Sequence, residues 1–277
     1  PDEDDCMSIH VLIEGPSGTP YEGGFFYFTM KCKSTYPMDP PSVVFKTTDN
    51  GRVGFNSNLY KNGKVCLSIL GTWSGPNWIP LMTLTTVALS IQSLLNEKPY
   101  LNGPGFTEAL CFADSIKKYN NFVQHETIRV AVCNVLEDRY AYSQMFRNYI
   151  HSNFLKNYDN YIKICKFANL DLSEQQWNMT SFLNLFNVNI PSCTYNYADL
   201  LRRHEKIKLI VDKKKKKNNS IRECVNDTDQ YFKDLSENVN ESEADFTESD
   251  GSLDESDTNV DESDTNVDES DTNVDES

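Results

Sequence analysis

The most reactive residue type in this chain stands at the edge of a tight turn. Within Phe55-Asn56-Ser57-Asn58-Leu59-Tyr60-Lys61-Asn62-Gly63-Lys64-Val65-Cys66-Leu67-Ser68-Ile69-Leu70, the pair Asn62-Gly63 is a strong turn signal, because both residues tolerate positive φ. Val65 then leads into Cys66 and a short apolar run. A cysteine so placed is expected to have an exposed sulfur and nearby backbone N–H groups, which a nucleophile or a metal ligand needs. Residue type alone leaves a second reading open, since a single cysteine is also a small hydrophobe that a core readily buries.

The other cysteines narrow the chemistry. The eight (Cys6, Cys32, Cys66, Cys111, Cys133, Cys165, Cys193, Cys224) lie far apart and form no CxxC pair, which argues against a zinc site or a redox dithiol. Four disulfides would suit a short secreted chain, but no apolar run resembles a signal peptide and no stretch is long enough to cross a bilayer. The expectation is reduced thiols in the cytoplasm or the nucleus.

Around this stretch, the elements that must position it read as short strands followed by helices. Ser8–Glu14 is a strand that ends at Gly15-Pro16; Phe25–Cys32 is an aromatic strand after Gly23-Gly24; Ser42–Lys46 is the next. Between them, Tyr36-Pro37-Met38-Asp39-Pro40-Pro41 cannot sit inside a strand, because three prolines remove three donors. Successive short strands joined by turns predict an antiparallel meander. After a loop carrying Trp73 and Trp78, apolar residues at Leu84, Val87, Ala88, Ile91, Leu94 and Leu95 predict a helix over Thr83–Glu97. Further helices are predicted over Tyr119–Glu137, Tyr142–Phe167 and Tyr197–Asp212. The third has an aromatic stripe of Tyr149, Phe154, Tyr158 and Tyr161 with Met145, Ile150 and Cys165, read as core packing. Residues 170–194 carry no clear pattern.

Charge is very unevenly placed. Of the 41 Asp and Glu residues, 21 follow residue 220, where Arg222 and Lys233 alone oppose them; residues 1–220 hold 24 basic and 20 acidic residues, a net of +4. The overall net of −15 therefore describes the tail. The five lysines Lys213–Lys217 suit an import signal, a site for nucleic acid or the acidic tail, or a solvated linker. Beyond them, Asp254-Glu255-Ser256-Asp257-Thr258-Asn259-Val260 recurs at 261–267 and 268–274. Each seven-residue repeat offers one apolar residue, so no coiled-coil seam can form, and the tail is expected to be disordered.

Several motifs in fixed order resemble the ubiquitin-conjugating enzyme family. They are Gly15-Pro16, Thr19-Pro20-Tyr21-Glu22-Gly23-Gly24-Phe25-Phe26, Tyr36-Pro37-Met38-Asp39-Pro40-Pro41, Asn62-Gly63-Lys64-Val65-Cys66-Leu67-Ser68-Ile69-Leu70 and Trp78-Ile79-Pro80. Leu70-Gly71-Thr72-Trp73-Ser74-Gly75-Pro76, Ser90–Leu95 and His125–Cys133 resemble the Z-type branch of that family. The resemblance covers residues 1 to roughly 212. It implies an α+β ubiquitin-conjugating (UBC) fold, with a four-stranded antiparallel meander and helices. The family fold starts with a helix that docks the activating enzyme, whereas this sequence starts at the first strand, so a core without that helix and weak loading are expected. The implied organisation is a conjugating core over 1–140, a helical extension over 141–212, and a lysine run with a disordered acidic repeat tail over 213–277.

The same resemblance makes Cys66 the nucleophile that takes the carboxyl terminus of ubiquitin, or a ubiquitin-like modifier, as a thioester and surrenders it to a lysine. The family carries His-Pro-Asn eight residues before that cysteine; here Asn56-Ser57-Asn58 stands in its place, and Asn58 matches the Asn. Its amide can hold the loop or donate to the oxyanion, and a turn residue bonding its own backbone is the alternative. No carboxylate aligns as a base near Asn102-Gly103 or Tyr119-Asn120, and His125 reads as a packed helix residue. Met38, Pro80 and Leu81 match surfaces on which ligases dock, while Tyr36 and Trp78 read as residues that hold those loops. The implied partners are the modifier, an activating enzyme (for the Z-type, the less common one, with a two-domain modifier as a possible cargo) and ligases. No membrane is implied, and nucleic acid is not expected. No cofactor or metal is implied, since ATP is used by the separate activating enzyme. A non-catalytic ubiquitin-binding or scaffold module is the competing reading.

Overall fold

The computed structural model describes residues 7–107, 113–137, 142–172, 176–177 and 193–217. The acidic repeats, the frayed start expected at residues 1–5 and most of the unassigned 170–194 stretch lie outside the described residues.

Three strands form an antiparallel sheet in the order β1 (Ser8–Glu14), β2 (Phe25–Lys31) and β3 (Ser42–Phe45). The register sets Val11 opposite Phe28 and Phe28 opposite Phe45, so alternation puts Ile9, Val11, Ile13, Phe26, Phe28, Met30, Val43 and Phe45 on one face. That face meets the main core, where Phe26, Phe28, Phe45 and Phe55 pack edge-on or tilted with centroids 5.0 to 6.5 Å apart. The turn before β2 is closed by Gly15, whose N–H donates to Gly24 O at 2.8 Å. A Cβ on Gly15 would lie 1.7 Å from Tyr21 O, so no other residue fits there.

The expected fourth strand does not form among the described residues. Past β3 the chain enters positive φ at Asp49, Asn50, Gly51 and Gly63, and sheet pairing shrinks to the single bridge Val44↔Lys64. The residues that a fourth strand would use are bonded instead to asparagine side chains, which makes this stretch a loop with its own internal order.

Helix α1 runs Leu84–Ser93, shorter than the Thr83–Glu97 expected. Thr83 caps it by accepting from Thr86 N while the Thr86 hydroxyl accepts from Thr83 N, a reciprocal capping box. It stops at Ser93 because the Leu94 carbonyl is taken by the side-chain amides of Asn56 and Asn102 rather than by a further helical turn. Helix α2 (Ala113–Glu126) starts earlier than the apolar pattern suggested and continues as a π-helical stretch over Thr127–Asn134. In that stretch Ile128, Val130, Ala131, Val132 and Cys133 are all buried, which a wider helical turn makes possible.

Helix α3 (Gln144–Leu172) lies over the other face of the sheet. Tyr142 and Phe146 stack edge-on against Tyr27 at 5.0 and 6.3 Å, and Tyr161 donates to Gly23 O at 2.7 Å. Of the aromatic stripe read as core, Ile150, Phe154, Tyr161 and Cys165 are buried, but Met145 is 70% exposed and Tyr149 is half out. Tyr149 instead donates to Glu14 Oε2 at 2.7 Å. A final helix, α4, covers 197–217, with Leu200, His204, Ile207 and Val211 buried at helical spacing. Its end contains Lys213–Lys217, all exposed, so the lysine run continues a helix instead of forming a linker. No described helix is long and apolar enough to cross a membrane.

Because Phe154 is fully buried against Tyr161 and His204, Phe154→Ala should lower the unfolding free energy in urea by about 4 kcal/mol. Tyr149→Phe, which removes one exposed hydrogen bond, should cost less than about 1 kcal/mol. A larger loss at Tyr149 would mean that the aromatic stripe packs differently.

Candidate active site

Asn56 organises the loop that carries the cysteine. Its Oδ1 accepts from the backbone N–H groups of Asn58 and Leu59, each at 2.9 Å, which folds the chain back on itself. Its Nδ2 donates to Tyr21 Oη at 3.0 Å and Leu94 O at 3.2 Å, tying the loop to the turn before β2 and to the end of α1. Tyr21 in turn donates to Phe55 O at 3.1 Å. Asn56, Tyr21 and Phe55 are buried, so the bonds among them are made away from competing water, while the bond to Leu94 O is part-buried.

From there the chain forms a narrow hairpin. Leu59 bridges Val65, Tyr60 N donates to Lys64 O at 3.0 Å, and Cys66 N donates to Asn58 O at 2.8 Å. Gly63 makes the turn at φ 87°, where a Cβ would sit 2.8 Å from Phe45 O. Asn58 closes the hairpin a second time, its Nδ2 donating to Cys66 O at 2.9 Å. The Asn58 amide thus holds the loop by bonding the carbonyl of Cys66. Beyond the cysteine, Leu67 N donates to the Thr72 hydroxyl at 2.9 Å, and that hydroxyl donates to Val65 O at 2.8 Å. These bonds and the left-handed Gly71 close the 3-10 turn Ser68–Leu70.

Of the exposed and buried readings open for Cys66, the structure shows the buried one. The residue is 1% accessible, and the Tyr60 hydroxyl is hydrogen-bonded to it. Burial raises the Tyr60 phenol above its ordinary value, and the adjacent Cys66 sulfur adds to the rise both as a neighbouring charge and through that bond. Lys64 Nζ lies 5.6 Å from the centre of the Tyr60 ring. Cys66 is one of four described free thiols, with Cys32, Cys133 and Cys165. No described group of three or more acidic, cysteine or histidine residues could hold a metal ion.

The stretches searched for a base hold amides. Asn102 Nδ2 donates to Leu94 O at 3.0 Å, Asn96 Nδ2 to Asn102 Oδ1 at 2.6 Å, and Asn120 Nδ2 to Glu97 O at 2.8 Å. They fix the exit of α1 rather than offer a proton acceptor. Sequence reasoning treated Asn56 as a departure from a motif and passed over Tyr60 and Thr72. An asparagine two residues before a turn-forming Asn was the one local signal available for Asn56.

Met38, Pro80 and Leu81 come to the surface on two loops held side by side. Trp78 Nε1 donates to Pro37 O at 2.8 Å and its ring lies 6.1 Å from Tyr36, so these two aromatics hold the loops as expected. Met38 is 71% and Leu81 89% exposed, and Pro80 and Ile79 are exposed beside them.

His125 is buried away from these loops, as a packed helix residue. It pairs through Nδ1 with Glu126 Oε1 at 2.8 Å, accepts at Nε2 from Asn196 N at 3.3 Å, and meets Tyr195 and Tyr197 edge-on. Glu126 also holds Arg129 at 2.6 Å, Arg129 reaches Asp49 at 3.0 Å, and Asn134 links Asp49 to Arg203 of α4. Burial alone would raise the Glu126 carboxyl. Hydrogen bonds from His125 and Arg129, together with the charge of Arg129, overcome it and hold the group at about 2 against an ordinary 4.5.

Residues 1–126 match the family model described as ubiquitin-conjugating enzyme. The ubiquitin-conjugating enzyme E2 Z of Xenopus tropicalis is 51% identical over 166 residues, 60% of this chain and 53% of the relative. The Homo sapiens E2 Z is likewise 51% identical over 166 residues, covering 47% of its length. A probable ubiquitin-conjugating enzyme protein 17 of Caenorhabditis elegans is 44% identical over 138 residues, 47% of this chain and 19% of that protein. The chain thus spans about half the length of the E2 Z relatives it matches.

Two outcomes follow from the polar contacts. Asn58→Ala leaves the Cys66 carbonyl buried without its side-chain donor and should cost about 2 kcal/mol in a thermal or urea melt. The lowered Glu126 carboxyl stabilises the fold above about pH 4.5, and that contribution fades as the pH falls towards 2. Glu126→Gln should be less stable at neutral pH yet lose less further stability across that acid window; parallel curves would contradict the assignment.

Proposed function

We propose, on the match of residues 1–126 to the ubiquitin-conjugating enzyme model and the likeness to the E2 Z relatives, that the chain carries ubiquitin, or a related modifier, as a thioester on Cys66 and passes it to substrate lysines. The observation that supports this reading is the ordered hairpin that carries Cys66 within the matched residues, closed twice by Asn58. The Cys66 sulfur attacks the carbonyl carbon of an acyl group held by the activating enzyme. A carbon–sulfur bond forms, the bond to the activating enzyme breaks, and the thiol proton passes to the departing group or to water. In the second step a lysine amine attacks the same carbon, an amide forms, and Cys66 leaves as thiolate while the amine loses its proton. A thioester suits both steps because sulfur is a better leaving group than an alcohol or amine.

In this reading Asn58 positions the cysteine, with its amide committed to the Cys66 carbonyl. The reaction asks for no metal or cofactor from this chain, ATP being consumed by the activating enzyme. A thiol nucleophile requires a reducing compartment, the cytoplasm or the nucleus. The organisation that goes with it is a conjugating core over 1–140, a helical extension from 141 whose last helix continues through Lys213–Lys217, and an acidic repeat tail beyond. Met38, Pro80 and Leu81 serve as the apolar patch for a ligase, supported by their exposure on adjoining, Trp78-braced loops.

Incubation with ATP, activating enzyme and ubiquitin should yield a slower-migrating band on a gel that dithiothreitol removes. Cys66→Ala should lack the band, and Cys66→Ser should form one that resists reductant; an unchanged, reducible band in Cys66→Ala would reject the proposal. Met38→Ala should slow ligase-stimulated discharge at least about threefold while leaving loading intact. Equal loss of both would remove Met38 from the docking surface.

A further inference from the structure

We propose that Tyr60 is a movable cap on the Cys66 thiol, holding the sulfur out of solvent in the uncharged protein and swinging away when an acyl donor arrives. The second clause rests on the function proposed above; the first does not.

The hairpin places the two side chains together. With Leu59 bridged to Val65, Tyr60 lies opposite Lys64 and Asn58 opposite Cys66. Alternation then sends Leu59 and Val65 into the core, where both are buried, and puts Asn58, Tyr60, Lys64 and Cys66 on the opposite face. Tyr60 and Cys66 are diagonal neighbours on that face, a separation that a long aromatic side chain spans. Its hydroxyl meets the sulfur accordingly, and Cys66 is almost wholly inaccessible.

The cap is built to open. Tyr60 itself is only half-buried, so part of its side chain already faces water. Lys64 over the ring is an exposed contact that gives way readily. Rotating the side chain therefore exchanges one hydrogen bond to sulfur for bonds to water, with no rearrangement of the Asn56 and Asn58 bonds beneath. A thiol covered between transfers is also sheltered from oxidation, which follows exposure.

The test is the rate at which a maleimide labels Cys66 in the full chain, read by peptide mass spectrometry with buried Cys165 as an internal reference. Tyr60→Ala should speed labelling of Cys66 roughly tenfold, while Cys165 stays at its wild-type rate. Tyr60→Phe keeps the ring and removes only the hydroxyl, and should fall between wild type and Tyr60→Ala, about twofold to fivefold faster. Wild-type rates at Cys66 in both variants overturn the proposal. So does a rise shared equally by Cys165, which would mean that the ring supports the fold and not the thiol. Since the assay contains no modifier and no activating enzyme, its outcome is independent of whether Cys66 accepts ubiquitin. Failure to load alongside a faster Tyr60→Ala reaction would reject the carrier reading alone.

Discussion

The structure around Cys66 depends on one buried amide, that of Asn56. A loop that is neither helix nor sheet must still find partners for its backbone, and unpaired donors away from water are costly. Asn56 meets that demand from both ends of its side chain. Its oxygen takes two N–H groups of the loop, and its nitrogen reaches Tyr21 and the last turn of α1. The loop is thereby fastened to a strand connection and a helix that are themselves held by the aromatic core, and Asn58 transmits that order to Cys66. The chemistry stands on irregular backbone, but the irregular backbone stands on rigid elements.

A second polar system does comparable work for the carboxyl-terminal helices. Glu126, Arg129, Asp49, Asn134 and Arg203 form a continuous chain of ion pairs and hydrogen bonds from the π-helical stretch to α4, and Glu137 adds a second anchor to Arg203 at 2.8 Å. Buried ions are weak contributors when compared with apolar packing, but breaking one partner strands the other. Together with Phe154, Tyr161 and His204, whose rings pack against one another, they bind α3 and α4 to the body of the fold.

Much of this was legible from residue order. The three strands followed from aromatic and β-branched runs bounded by Gly and Pro, and α1 followed from the spacing of Leu84, Val87 and Ile91, although its end did not. That end is set by Asn56 and Asn102, distant residues that claim the Leu94 carbonyl, and no local pattern encodes such a bond. The fourth strand failed for a related reason: side-chain amides and positive φ at Asp49, Asn50 and Gly63 outweighed strand propensity. The readings of Lys213–Lys217 as an import signal, a binding site or a linker weighed charge alone, whereas lysine is a good helix former and α4 carries its register onwards. At the site, Cys66 was marked by its place after the Asn62-Gly63 turn and Asn58 by the family resemblance. Residue type left both an exposed and a buried sulfur open, and the pairing of Tyr60 with Cys66 across the hairpin had to be seen first.

The central claim, that this one sulfur among eight cysteines accepts the modifier, is tested most directly by locating the adduct. The full chain, charged with ubiquitin in the presence of ATP and an activating enzyme, is digested without reductant at mildly acidic pH and analysed by mass spectrometry. The account predicts a mass increase confined to the peptide containing Cys66 and released by hydroxylamine. An acyl group on any other cysteine, with Cys66 unmodified, contradicts it.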